Sequence, residues 1–183
     1  MLLMNELLLH RCRAGDDLAI EQMVNAHQPK IYRLALTILD DPDDARDAAQ
    51  ETFLAALRSL DTFRGQSAFS TWLAAIAINL CRTRLQRRKS RQRLQDILQA
   101  LTLQRREHFT PEQAAIQTES DAALWAAIRA LDEKHRIPLI LRYYHDYTVP
   151  EIAQMLQIPA GTIHSRLNTA RARLAGMLGG QND

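Results

Sequence analysis

The sequence predicts an all-α protein of two small helical domains joined by a flexible linker, the second containing a helix-turn-helix. Three observations predict it. Gly and Pro number only six each in 183 residues, too few for the turn-dense chain of an all-β fold. Apolar types make up 46% and charged types 24%, as in ordinary globular domains. Apolar residues also recur at steps of three and four along most of the chain, the mark of helices with one buried face. The length suits one domain or two small ones. Two cysteines, Cys12 and Cys81, build no disulfide framework, and nothing upstream reads as a secretion signal. No stretch approaches the roughly 20 apolar residues of a membrane span. A cytoplasmic protein without membrane insertion is expected.

The helices follow in order. Leu18, Ile20, Met23 and Val24 begin one, and Ile31, Leu34, Ala35 and Ile38 continue it after a restart at Pro29. Asp40-Asp41-Pro42-Asp43-Asp44 starts the next, with Pro and acids in the first turn. That helix turns Ala45, Ala48, Ala49, Phe53, Ala56, Leu57 and Leu60 inward and Asp43, Asp47, Gln50, Glu51 and Arg58 outward. Phe63-Arg64-Gly65-Gln66-Ser67 breaks the pattern. A further helix carries Phe69, Trp72, Leu73, Ile76, Ala77 and Leu80 as one apolar stripe, then runs into a series of arginines. Residues 1–93 read as one domain. Residues 94–119, Gln-rich with Thr110-Pro111-Glu112 in the middle, read as a connector with some helix. Residues 120–183 form the second domain, opening at Leu124-Trp125 and restarting at Asp132. Pro138 either starts a helix there or kinks one.

Charge is unevenly distributed. Residues 1–81 carry a net −4, residues 82–106 a net +8, residues 107–161 a net −4 and residues 162–183 a net +2. Twenty of the 23 basic residues are Arg, which favours bidentate contacts to phosphates and bases. Such blocks suit a chain that meets nucleic acid at two places and something basic elsewhere. Solvated helix faces are the plain alternative.

The last forty residues hold the most specific pattern. Val149 to Leu156 reads as a short helix with Thr148 as N-cap and Pro150 near its start. Gln157 to Gly161 breaks it, and Thr162 to Leu178 forms a second helix with Ile163, Leu167, Ala170 and Leu174 buried. The short turn, with small Ala153 at the crossing, makes a helix-turn-helix; apolar spacing alone fits a plain helical hairpin about equally, and the order of small, apolar and basic residues favours DNA binding. Its second helix is the one laid in a DNA major groove. Thr162, Ser165, Arg166, Thr169 and Arg173 then share the outer face.

Ile152 to Leu167, followed by Ala170-Arg171 and Leu174, resembles the carboxy-terminal promoter-binding region of bacterial sigma factors, with the short extracytoplasmic-function group nearest. Asp47-Ala48-Ala49-Gln50-Glu51-Thr52-Phe53 is similar to that family's helix for binding core polymerase. Phe63 to Leu73, then Ile76-Ala77 and Asn79, resembles its promoter-melting segment. The three motifs stand in family order, with only the connector unmatched.

The resemblance implies roles. Asp47, Gln50 and Glu51 would dock a basic coiled coil of core RNA polymerase. Gln66, Ser67 and Ser70, with Ile76 and Asn79, would form a pocket for a base leaving the stack at the −10 element, a step costing a few kcal/mol. Arg82, Arg84, Arg87 and Arg88 would hold the phosphates around it. Thr162, Ser165, Arg166, Thr169 and Arg173 would read the −35 element. Phe69 and Trp72 read as core. The implied partners are core RNA polymerase, promoter DNA and an anti-sigma factor packing between the domains. His164 and Thr169 leave the recognition helix thinner in positive charge than in many family members. Gln157 stands where glycine is common because φ > 0 is needed, at a cost on the order of 1 kcal/mol.

Other classes fit less well. A helix-turn-helix regulator of the two-component type needs a receiver domain, and residues 1–93 show no strand runs. For an enzyme, the six histidines have no metal-ligand spacing with Cys12 or Cys81, and His10 with Cys12 reads as a surface pair. There is no glycine-rich phosphate loop. No catalytic residue, cofactor or metal is expected. A protein-only adaptor would leave the nine basic residues of 82–106 without a purpose, and the salt dependence of DNA binding would separate it.

Overall fold

The computed structural model describes the backbone of residues 6–102 and 119–179, with side chains over 6–93 and 122–178. All regular structure among these residues is helical. The first unit holds α1 (Glu6–Arg13), α2 (Asp17–Leu39), α3 (Pro42–Arg58), a single 3₁₀ turn (Leu60–Thr62) and α4 (Phe69–Thr102). The second holds α5 (Glu119–Ala130), α6 (Glu133–Tyr143), α7 (Val149–Leu156) and α8 (Ala160–Gly179).

Local chemistry sets the helix ends. The Asp16 carboxylate caps α2 by accepting from the Ala19 amide at 3.2 Å and pairs with Arg11 at 2.8 Å. Asp40 closes α2 in the left-handed region at φ 57, and Asp41 opens α3 by accepting from the Asp43 and Asp44 amides. Adjacent aspartates thus end one helix and begin the next, with Pro42 at the first position of α3. The restart expected at Pro29 is absent, for α2 runs unbroken through it. Proline there removes the amide that would bond the Asn25 carbonyl. Both residues are exposed, so water can satisfy that carbonyl while Met23 and Ile31 stay in one core.

In that core α2, α3 and α4 pack pairwise, and α1 lies on α2. Met23, Leu34, Ile38, Leu73 and Ile78 are fully enclosed. The alanine face of α3 lets its neighbours approach closely, and the buried Thr52 hydroxyl donates to the Ala48 carbonyl at 2.7 Å. The α4 stripe is wider than expected, taking in Ala74, Ile78, Cys81 and Leu85. Burial pushes the Cys81 thiol up to about 12, which leaves it unreactive. Cys12 is not a surface residue beside His10. It is buried with Leu8 and Leu9 on one face of α1, while His10 is exposed.

α4 continues through Thr102, past the boundary at residue 93. The stretch contains neither Gly nor Pro, and Leu94, Ile97, Leu98 and Leu101 keep the apolar spacing of three and four among residues of good helical propensity. The rest of the expected linker, 103–118, lies outside the described residues.

The second unit closes over Ile137, Ile140, Leu141, Ile152, Met155 and Ile163. α6 begins at Glu133 and contains Pro138 rather than starting there. The N-cap residue of α6, Asp132, gives its carboxylate to Arg173 of α8 at 2.9 Å instead of to the helix. α7 opens on a reciprocal cap: Thr148 accepts from the Glu151 amide, and Glu151 accepts from the Thr148 amide at 2.8 Å. Gln157 ends it at φ 54, with the Ile158 amide reaching the Ala153 carbonyl. The Gln157 side chain is exposed. Gln157→Gly should therefore raise stability by about 0.5–1 kcal/mol by relieving left-handed strain. Thermal unfolding checks it, and a lower midpoint would mean that glycine's extra unfolded-state freedom dominates.

The two units pack on each other. α4 lies against α7, α2 touches α6, and one buried apolar cluster contains residues of both.

Candidate protein and nucleic-acid interfaces

The acidic face of α3 is where the sequence put it. Asp47, Gln50 and Glu51 are exposed, opposite Ala45, Ala48 and Ala49. Glu51 is nevertheless engaged: Arg84 of α4 reaches it at 2.8 Å and Asp44 at 3.2 Å. These acids hold the guanidinium charged against the desolvation that opposes it. A neighbour went unread. Leu54, 54% exposed, follows Asp47 and Gln50 at helical spacing and lines a groove of about 370 Å³ with Val24, Tyr32, Phe53 and Leu57. The signal available was an apolar residue at the next step of a polar face.

The segment between α3 and α4 is held from beneath. Phe63, Phe69, Trp72 and His27 form a ring cluster with centroids 5.3–5.4 Å apart. Phe69 is buried and Trp72 half-buried, so both anchor the loop, as expected for core residues. Arg13, unread in the sequence, donates to the Phe63 carbonyl at 2.9 Å and to that of Leu60 at 3.3 Å. Above this base Gln66 is exposed, and Ser67 and Ser70 are half-exposed, at the approach to α4. Ile76 is half-buried, and Asn79 is exposed one turn later.

The four arginines expected to act together are divided. Arg84, Arg87 and Arg88 recur on one side of α4 and, with Arg91, line a groove of about 400 Å³ against Asp44 and Glu51. Arg87 and Arg88 are exposed. Arg82 lies on another face, seven residues before Lys89, and both point to Glu133 of α6. Two registers of the helical repeat are interleaved in the basic run.

In the helix-turn-helix, Ile163, Leu167 and Ala170 are buried and Leu174 half-buried. Thr162, Ser165, Arg166, Thr169 and Arg173 line up along one flank of that buried stripe rather than on the face opposite it, where the sequence put them. Ser165 and Arg173 are exposed, while Thr162, Arg166 and Thr169 are half-exposed. Arg173 is tied to Asp132 and lies 3.5 Å from the His135 ring. Burial, then this guanidinium, pulls the His135 pKa down. Arg166 lines an open cavity of about 470 Å³ between the units with Arg82, Lys89 and Lys134. Among the described residues there is no cluster of three or more potential metal ligands, and no helix is long and apolar enough to cross a membrane.

Comparison with known proteins fits this architecture. Residues 23–92 match Sigma-70 region 2 and residues 121–174 match Sigma-70 region 4. The RNA polymerase sigma-H factor of Pseudomonas aeruginosa is 36% identical, over 90% of this chain and 88% of its own. The ECF RNA polymerase sigma factor SigW of Bacillus subtilis is 30% identical, over 93% of this chain and 94% of its own. CnrH, solved in complex with the cytosolic domain of CnrY, shares the fold at TM-score 0.66 and 23% identity, over 95% of this chain and 96% of its own. The fold of RpoE, solved with the anti-sigma factor NepR from Bartonella quintana, matches at TM-score 0.65 and 24% identity, over 87% and 96%.

The chain belongs to the sigma-70 family of RNA polymerase sigma factors. Within that family it is a sigma factor of the extracytoplasmic-function group.

Proposed function

We propose that the chain docks core RNA polymerase through Asp47, Gln50 and Glu51 of α3 and directs it to promoters with two DNA-binding surfaces. The carrying observation is the presence on one chain of an exposed acidic helix face and a well-capped helix-turn-helix. Residues 1–93 take the −10 element. Gln66, Ser67, Ser70, Ile76 and Asn79 receive an unstacked base, and Arg87 and Arg88 offer charge to the flanking phosphates. Arg82 and Arg84 join them once released from Glu133 and from the α3 acids. Residues 120–183 take the −35 element through Thr162, Ser165, Arg166 and Thr169. Arg173 contributes both as a staple to Asp132 and as a phosphate contact. Residues 94–119 connect the two. No step requires the protein to make or break a bond, so neither catalytic group nor cofactor is called for. The site of action is the cytoplasm.

An anti-sigma factor is the proposed regulator. Support comes from the solved structures that share the fold, among them RpoE in complex with the anti-sigma factor NepR.

Co-elution of the purified chain with bacterial core RNA polymerase on gel filtration tests the reading. Stoichiometric co-elution is expected. Its absence in an inhibitor-free sample would favour a helix-turn-helix regulator that acts without polymerase docking. For the second surface, Arg166→Ala should weaken upstream-element binding by about 1–3 kcal/mol if it contacts a base, and lower the salt slope by about 1 if it contacts phosphate. Unchanged affinity and slope would remove Arg166 from the DNA surface.

A further inference from the structure

The loop between α3 and α4 is held at its entry by a residue of α1. We propose that Arg13 is a positioning residue for the −10 base pocket, setting the direction in which the chain leaves Phe63 towards Gln66 and Ser67. The proposal rests on the reading of those two as pocket residues.

Arg13 stands in the last turn of α1, ahead of the residues 23–92 that match Sigma-70 region 2. Leu8, Leu9 and Cys12 are buried where α1 lies on α2, which fixes the rotation of the short helix and so the direction of Arg13. Its Nη2 donates to the Phe63 carbonyl at 2.9 Å and to the Leu60 carbonyl at 3.3 Å. Its Nε lies 3.6 Å from the Asp61 carboxylate. All three acceptors belong to the 3₁₀ turn Leu60–Thr62 or to the residue that closes it. Carbonyls at the end of a helical turn lack partners within it, and here a guanidinium of α1 supplies one. Leu60 is buried, so the turn is anchored from below as well.

The chain after Phe63 has little else to hold it. Among the described residues no backbone–backbone hydrogen bond begins or ends at Arg64, Gly65, Gln66 or Ser67. Gly65 takes φ 69, a conformation that glycine adopts freely. The path of the loop is therefore set at its two ends. At the far end the Ala68 carbonyl accepts from the Thr71 and Trp72 amides and so belongs to the start of α4. At the near end the Phe63 ring packs on Phe69 and Trp72, which places the side chain but not the peptide that follows. The Phe63 carbonyl and the Arg64 amide share one rigid plane. The bond from Arg13 orients that plane, and with it the heading of the next residues.

A loop already on its bound path loses less freedom when a base enters. Without the Arg13 bonds the pocket residues remain, but they must be ordered at the moment of binding. The loss should fall on the strand that fills the pocket and spare one held only by its phosphates.

The test uses the full chain assembled with bacterial core RNA polymerase and the anisotropy of two fluorescent single strands of equal length. One is selected on the wild-type assembly from a randomised single-stranded pool, and the other is oligothymidylate of the same charge. Arg13→Lys keeps the positive charge, but its ammonium ends one bond short of Nη2. It should weaken binding of the selected strand by about three- to tenfold, the scale of one hydrogen bond, and that of oligothymidylate by less than about twofold. Hydrogen exchange at the Thr62 and Phe63 amides, which bond the Ser59 and Leu60 carbonyls in the turn, should quicken, while exchange in the core of α2, α3 and α4 stays unchanged. Wild-type affinity in Arg13→Lys, with equal losses on both strands in Arg13→Ala, would overturn the proposal in favour of a general charge effect. Faster exchange with undiminished binding of the selected strand would overturn it as well, since the turn would then be held without serving the pocket. Gln66→Ala tests the underlying reading and should weaken the selected strand without changing exchange in the turn. If Gln66→Ala weakens binding and Arg13→Lys does not, the pocket stands and the positioning role falls. If neither weakens it, the pocket reading falls and the proposal with it.

Discussion

Replacing Asp47 and Glu51 together by alanine should abolish co-elution with bacterial core RNA polymerase. Two charged hot-spot residues at a docking interface cost at least about 2 kcal/mol each on truncation, so affinity should fall by about 700-fold if the two losses add. Asp47 and Glu51 face outward from α3, and neither side chain belongs to the core, so helicity should not change. Glu51→Ala also releases Arg84, which retains Asp44 at 3.2 Å. Upstream DNA affinity of the full chain should stay within about twofold, because α8 is not part of this contact. Undiminished co-elution of the double variant would exclude the acidic face as the docking surface.

The second large effect falls on the helix-turn-helix core. Ile163→Ala should destabilise the second unit by about 2–5 kcal/mol, the cost of a cavity left by a large aliphatic side chain. Ile163 is fully enclosed, in the same buried cluster as Ile152, Met155 and Leu167. A unit of about 60 residues has little stability to spare, so upstream-element binding should disappear together with the thermal transition of α5–α8. Arg166→Ala should reduce binding and leave that transition in place. A midpoint for Ile163→Ala close to the wild-type value would mean that the site repacks around the cavity.

Much of the fold was legible because it depends on neighbours in the chain. Asp41-Pro42, Thr148 and Gln157 at positive φ are caps whose partners lie within a few residues, and they stand as the sequence predicted, while the return bond from Glu151 to Thr148 was not read. The helix-turn-helix and the acidic α3 face were legible for the same reason. Errors arose where packing outweighed a local signal. Pro29 did not restart α2, because exposure on that side lets water take the orphaned carbonyl while the core continues beneath. Cys12 went inward, because Leu8 and Leu9 fix which side of α1 faces α2. Beyond residue 93 Leu94, Ile97, Leu98 and Leu101 kept a helical spacing that the Gln-rich composition obscured, so α4 continued.

The sequence by itself determined most of the helices, several of their caps, the motifs and the family, since each is written in residues close together in the chain. The tertiary structure alone decided which charges are spoken for. Arg84 meets Glu51, Arg82 meets Glu133, Arg129 meets Asp40 and Arg173 meets Asp132, each between different helices or their caps and more than 30 residues apart in the chain. Helical periodicity states which residues share a face. It carries no information about which surface comes to lie against that face, because that is settled by long-range packing of buried apolar area, and the ion pairs follow from it.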